Sequence, residues 1–254
     1  MRDLTFSILT PVYNSAKYIR QNLLSVSSQN YPDWEHIIFD NLSADSSGII
    51  VDEHAACHAN VRVYHERDAG QSDALNKAFN VAKGDIIGWL NADDYYNSGA
   101  FAVVAESFQA NPKAQVLFGN AIIVDGNGQT LREIPMENFR FRDLRRGCYL
   151  IQPAVFFRRT AIMREFLNVQ LHYAMDYDLW LRIFHDDDAI YTPNALASFR
   201  VHADAKTYLL RYGSLIEYYQ VKWRNSALSL RDIMVLPYSF LRTSIDEMRR
   251  RFIS

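Results

Sequence analysis

The first half of the chain repeats one alternation: a short apolar run, a turn, then a segment with apolar residues at helical spacing. Runs at 5–10, 34–39, 61–65 and 86–90 read as strands, and the intervening 15–28, 44–56 and 72–82 read as helices. The breaks have local causes. Pro11 ends the first run, Asp40-Asn41 stops the second, and Gly84 closes the third helix. Strands separated by helices in this way run parallel and are joined by right-handed crossovers. The predicted class is α/β, built on a Rossmann-like sheet of the nucleotide-binding type.

The second half changes character. Segments 116–124 and 130–134 flank Asp125-Gly126-Asn127-Gly128, a strong hairpin signal. Residues 152–157 read as a further strand and 177–185 as a short helix. From about Tyr208 the pattern is helical, with Leu209, Leu210, Leu215, Ile216, Tyr219 and Trp223 at helical spacing. A length of 254 residues suits one α/β domain with a helical tail, here divided at 1–206 and 207–254. The tail is aromatic and basic, ending in Arg249-Arg250-Arg251. It has two readings: packing on the α/β domain or a second copy, or an amphipathic contact with an anionic membrane surface.

Several classes are disfavoured. The net charge of −2 gives no electrostatic case for nucleic acid. Cys57 and Cys148 are too few for a disulfide framework or a zinc site. The N-terminus enters a strand without a basic region and a long apolar run, so no secretory leader is expected. The best membrane candidate, 233–241, is short and broken by Pro237. A cytosolic location is the expectation, with contact at the inner membrane face left open.

Four strand ends should converge, presenting Pro11-Val12-Tyr13-Asn14, Asp40-Asn41, Arg67-Asp68-Ala69-Gly70-Gln71 and Asn91-Ala92-Asp93-Asp94. Ligands sit at that end of an open α/β sheet. Two adjacent carboxylates repel each other, and a divalent metal with a diphosphate beyond it relieves the repulsion. Tyr13 could stack on a base and Asp40 could accept from a base N–H or a ribose hydroxyl. Alternatively, Tyr13 packs and Asp40 caps the following helix with Ser43. There is no Gly-x-Gly-x-x-Gly and no P-loop, so the acidic pair is left to neutralise the phosphate.

Taken in order, Thr10-Pro11-Val12-Tyr13-Asn14, Asp40-Asn41-Leu42-Ser43, Gly70-Gln71-Ser72-Asp73-Ala74-Leu75-Asn76-Lys77 and Gly84-Asp85-Ile86-Ile87-Gly88-Trp89-Leu90-Asn91-Ala92-Asp93-Asp94 resemble the motif set of glycosyltransferase family 2. The likeness continues in Gln152-Pro153-Ala154-Val155-Phe156-Phe157 and Met175-Asp176-Tyr177-Asp178-Leu179-Trp180-Leu181-Arg182, and spans about residues 4–206. It implies a GT-A-type mixed sheet flanked by helices and an inverting transfer from a nucleoside-diphosphate sugar, most often UDP-linked. Pro11 and Tyr13 fall where the family holds the base, and Asp40 where it touches base or ribose. Asp93 and Asp94 match the acidic metal motif for Mn2+ or Mg2+. Of the two, Asp94 is expected on the metal and Asp93 on the ribose or a metal-bound water. Gln71 lies near the diphosphate path; Asn76 and Lys77 either support that loop or serve the helix. Asp176 falls on the catalytic base that an acceptor hydroxyl needs, with Asp178 as the competing carboxylate and a first-turn dipole partner. His202 completes the metal site or is a structural histidine. Arg200 and Lys206 cover the diphosphate or face solvent. Trp89 and Trp180 read as core.

Three residues depart from the family pattern. Asn41 and Asn91 stand where a second acid is common, and Met175 where an acidic neighbour precedes the base. The implied partners are a nucleotide-sugar donor and a glycan or lipid-linked acceptor of surface polysaccharide assembly, with self-association left open. The competing classes are a nucleotidyltransferase, which would want a Gly-rich basic loop after the first strand, and a non-catalytic nucleotide-sugar binding module.

Overall fold

A computed structural model describes residues 4–147, 150–203, 212–230 and 232–235. The parallel unit forms as the alternation predicts. β1 (Phe6–Val12), β2 (Trp34–Asp40), β3 (Val61–His65) and β4 (Ile86–Trp89) are joined by α1 (Ile19–Ser27), α2 (Ser47–Cys57) and α3 (Gln71–Val81). They lie side by side in the order β3-β2-β1-β4, all parallel. Pro11 sits inside β1 rather than ending it. The β1–β4 ladder stops at Leu9 opposite Trp89, so the missing N–H of Pro11 falls beyond its neighbour's end.

The rest of the chain converts this into a mixed sheet. β5 (Tyr95–Tyr96) and α4 (Ala100–Ala110) lead to the hairpin of β6 (Val116–Val124) and β7 (Thr130–Ile134). After α5 (Phe141–Arg146), β8 (Val155–Arg158) inserts antiparallel between β4 and β6. The expected strand at 152–157 begins as a 3-10 turn, Gln152–Ala154, because Pro153 offers no N–H to a ladder. α6 (Met175–Ile183) precedes β9 (Ala189–Arg200), which runs parallel to β6. β9 and α4 are absent from the sequence reading. β9 is interrupted by Pro193, carries Thr192, Asn194 and Ser198, and shifts register beside Gly119 and Asn120, so it shows no apolar run.

Alternation along the buried strands sends side chains to two cores. Leu9, Ile37, Ile87 and Trp89 face one layer, with Leu75 of α3 and Trp180 of α6. Phe6, Ile8, Ile86 and Leu90 face the other, with Phe101, Val104 and Phe108 of α4. Trp89 and Trp180 are buried, as read.

α7 (Tyr212–Arg224) is the described part of the helical tail. It packs on the α/β body: Lys222 is fully buried, paired to Asp232 at 2.7 Å, and its Nζ reaches the Arg146 carbonyl at 3.4 Å. Trp223 and Met234 remain exposed. Among the described residues no helix is long and apolar enough to cross a membrane. Cys148, Lys206, Tyr208, Leu209, Leu210, Pro237 and the Arg249-Arg250-Arg251 run lie outside the described residues.

The turn into β4 has no room for a side chain. A Cβ on Gly84 would lie 2.5 Å from the Ser7 backbone nitrogen and 2.7 Å from the Phe6 carbonyl carbon. Gly84→Ala should therefore cost about 1–3 kcal/mol, seen as a Tm drop of several degrees in thermal unfolding. An unchanged Tm would show that the β1–β4 approach is looser than this.

Candidate active site

In the order β3-β2-β1-β4, the winding reverses between β1 and β4, and ligands bind beyond the carboxyl ends of strands at such a switch point. A cleft of about 880 Å3 opens there. Pro11 and Tyr13 line it from β1, Gln71 from the start of α3, Asp93 from β4, Asp176 from α6, and His202 from just past β9. Asp40 and Asp94 are not among its lining residues.

The acidic pair divides. Asp93 turns toward the cleft, where its Oδ2 lies 3.1 Å from His202 Nε2. Asp94 turns inward, is 1% exposed, and accepts the backbone N–H of Arg200 on Oδ1 at 2.8 Å. Its Oδ2 is buried without a hydrogen-bond partner. Burial, and then the charge of Asp93, hold the Asp94 carboxyl well above the usual carboxylate range. This reverses the ranking drawn from sequence. The two lie in the turn after β4, where the Asp94 N–H donates to the Asn91 carbonyl at 3.1 Å, and of the pair it is Asp93 that lines the cleft.

Asp40 takes the helix-side role. Its carboxylate accepts from the Ser43 backbone and hydroxyl and meets His65 Nδ1 at 2.9 Å. His65 Nε2 lies 2.9 Å from Asp52, and these two acids raise the imidazole above its ordinary pKa, Asp52 first. With its oxygens occupied and 2% exposure, Asp40 does not reach the cleft. Its neighbour Asn41 does, while accepting the Asp68 N–H at 3.0 Å.

Asp176 stands in the first turn of α6 and lines the cleft. Its Oδ1 accepts the Tyr177 N–H at 2.7 Å. Crowding by protein raises its pKa from 3.8 to about 6, against the lowering effect of that N–H. Asp178 is occupied elsewhere, paired with Arg182 at 2.9 Å and accepting from Asn225 at 3.0 Å.

The residues around the cleft are tied together by side-chain hydrogen bonds and ion pairs. Asn91 Oδ1 accepts from Gln71 Nε2 at 2.7 Å and Trp89 Nε1 at 2.8 Å, and its amide donates to Gln152 at 3.1 Å. A carboxylate there would have no donor for Gln152, which accounts for the departure to Asn. Asn76 makes two bonds to the Leu167 backbone, and Lys77 pairs with Glu66 and Asp73, so both serve structure. Arg200 is 2% exposed rather than solvent-facing, and it lines the cleft. It donates to the carbonyls of Asp93 and Asp125 and to Gln21, with its guanidinium 4.8 Å from the Tyr18 ring. The His202 ring lies 4.7 Å from the same tyrosine. Tyr18 was missed because its partners lie far along the chain.

The family model for glycosyl transferase family 2 matches residues 7–169, well over half the chain. The chain belongs to glycosyl transferase family 2. An uncharacterised glycosyltransferase from Rickettsia felis is 28% identical over 211 residues, covering 78% of this chain and 34% of the relative. The chain thus spans about a third of that relative's length. S. aureus TarS 1–349, solved with UDP, superposes with a TM-score of 0.68 at 20% identity, covering 87% of this chain and 65% of the other. A mannosyltransferase from Pyrobaculum calidifontis, solved with GDP-Man and Mn2+, gives 0.61 at 19% identity, covering 81% and 59%. At these identities the likeness establishes the fold, a GT-A-type mixed sheet flanked by helices.

A carboxyl whose folded pKa is raised contributes stability below pH about 3.8 that is lost as the pH rises through about 6. Asp176→Asn should therefore stabilise the protein by about 1–3 kcal/mol at pH 8. The gain should be absent near pH 4, grow between pH 4 and 6, and level off above. Equal Tm changes at pH 4 and pH 8 would contradict this assignment.

Proposed function

We propose that this chain moves a sugar from a nucleoside-diphosphate sugar, UDP-linked in the first instance, onto a hydroxyl acceptor with inversion at the anomeric carbon. The observation that carries the reading is the arrival in one cleft of the Asp93–His202 pair and the raised carboxyl of Asp176. Family membership supplies the reaction class.

Each residue then has a physical task. Tyr13, 62% exposed at the cleft, offers a ring face for the base, and Pro11 frames it. Gln71 opens α3, whose N-terminal N–H groups favour the anionic diphosphate. One carboxylate oxygen and one imidazole nitrogen 3.1 Å apart would suit a manganese-like ion beside the diphosphate. When bound, such an ion offsets charge developing on the leaving diphosphate. Asp176, ionised above about pH 6, takes the acceptor proton as the hydroxyl attacks from the face opposite the diphosphate. A second cavity of about 1100 Å3 shares Leu150, Ile151 and Tyr218 with the cleft and gives the acceptor room beside the donor. A glycan or lipid-linked acceptor of surface polysaccharide assembly fits the family resemblance. We place the work in the cytosol or at the inner membrane face.

Thermal-shift and transfer assays with UDP-, GDP- and dTDP-sugars, with and without Mn2+, test the reading. Stabilisation should require donor and metal together. Asp93→Asn should abolish the metal-dependent shift, whereas Asp94→Asn, which keeps an oxygen for the Arg200 N–H, should retain it. Asp176→Asn should still bind donor while transfer falls by roughly 10²–10⁴-fold. Full transfer by that variant would remove Asp176 from the reaction, and silence toward every donor would overturn the function.

A further inference from the structure

α6 begins without a local cap. A helix start leaves backbone N–H groups unsatisfied, and a Ser, Thr, Asp or Asn at the cap position commonly takes one of them. Here the cap residue is Ala174, whose side chain has no acceptor. An acceptor for the Ala174 N–H, and for the two amides that lead into the helix, comes instead from α7. Glu217, 9% exposed, takes the backbone N–H of His172 at 3.0 Å, Tyr173 at 2.7 Å and Ala174 at 3.1 Å. Bonds from N–H to an ionised carboxylate are roughly twice as strong as neutral ones.

α7 also holds the other side of Asp176. The Tyr218 ring stacks on Tyr177 with centroids 5.3 Å apart and planes 14° apart, and Asn225 Nδ2 donates to Asp178 at 3.0 Å. Residues just before and just after Asp176 are thus anchored to α7 and the residue that follows it, while Asp176 lines the cleft.

We propose that Glu217 is a positioning residue that sets where Asp176 stands, so that α7 is required for turnover and not only for stability. The inference rests on the transferase reading above. A general base must lie within hydrogen-bond reach of the proton it takes, and a displacement of about 1 Å costs on the order of 100-fold in rate.

The test compares Glu217→Ala, Glu217→Gln and, as a control, Glu35→Ala, which removes the partner of Arg62, lines neither cavity and does not touch 172–178. The measurements are kcat, donor Kd and amide exchange at 172–174, all well below each variant's Tm. Glu217→Ala should lower kcat roughly 10–100-fold, change donor Kd much less, and speed exchange at the three amides. Glu217→Gln, which keeps one acceptor oxygen, should recover most of kcat. The control should lower Tm and leave kcat within about twofold. Wild-type kcat in Glu217→Ala, unchanged exchange, or an equal kcat loss in the control would each overturn the proposal. If the wild type transfers no sugar from any donor, the function fails on its own account. The Asp176 titration followed by NMR then decides for Glu217: a value unmoved by Glu217→Ala overturns it, and a shift back toward the ordinary carboxylate range sustains it.

Discussion

The site depends on two adjacent carboxylates at the end of β4 being turned opposite ways. Side by side in the cleft they would repel and would both need the same counter-charge. Turning Asp94 inward gives its Oδ1 a buried N–H to accept, that of Arg200 at the end of β9, while burial and the charge of Asp93 favour its neutral form. Arg200 also donates to the Asp93 carbonyl, so the exits of β4 and β9 are fastened by two bonds. That junction brings the segment after β9 over the switch point and sets His202 beside Asp93. Asp94 therefore builds the site in which Asp93 stands.

The same division of labour recurs around the cleft. Asp40 and Asn41 are neighbours, yet Asp40 closes the β2 turn through Ser43 and His65 while Asn41 lines the cleft. Asp176 and Asp178 share the first turn of α6. Asp178 is committed to Arg182 and Asn225, and Asp176 is left with a raised pKa and access to the cleft. In these two pairs one polar group is committed to protein partners and the other faces the opening.

Much of the parallel unit was legible in the chain. The runs at 61–65, 116–124 and 130–134 coincide with β3, β6 and β7, since their apolar content or turn chemistry is local. Pro11, Tyr13, Gln71, Asp93, Asp176 and His202 were all named and all line the cleft. β9 was not legible, because a strand held by β6 on one side and interrupted by Pro193 needs no continuous apolar run. Tyr18 and Glu217 were missed, and Gln152 was quoted within a motif without a role, for a related reason. Each acts on residues dozens to nearly two hundred positions away, and such pairs leave no mark on neighbouring sequence.

By itself, the sequence determined the alternation that forces a parallel sheet, the acids and histidine delivered to its strand ends, and a family motif set in order. Those follow from period, turn chemistry and residue type, which are properties of short segments. Only the tertiary structure decided which member of each acidic pair faces the cleft, because side-chain direction depends on the backbone path and on partners from distant strands. It also decided that α7 packs on the α/β body and supplies an acceptor for the N–H groups that lead into α6. Desolvation raised Asp176 for the same reason: burial is a property of the assembled fold, and no stretch of sequence carries it alone.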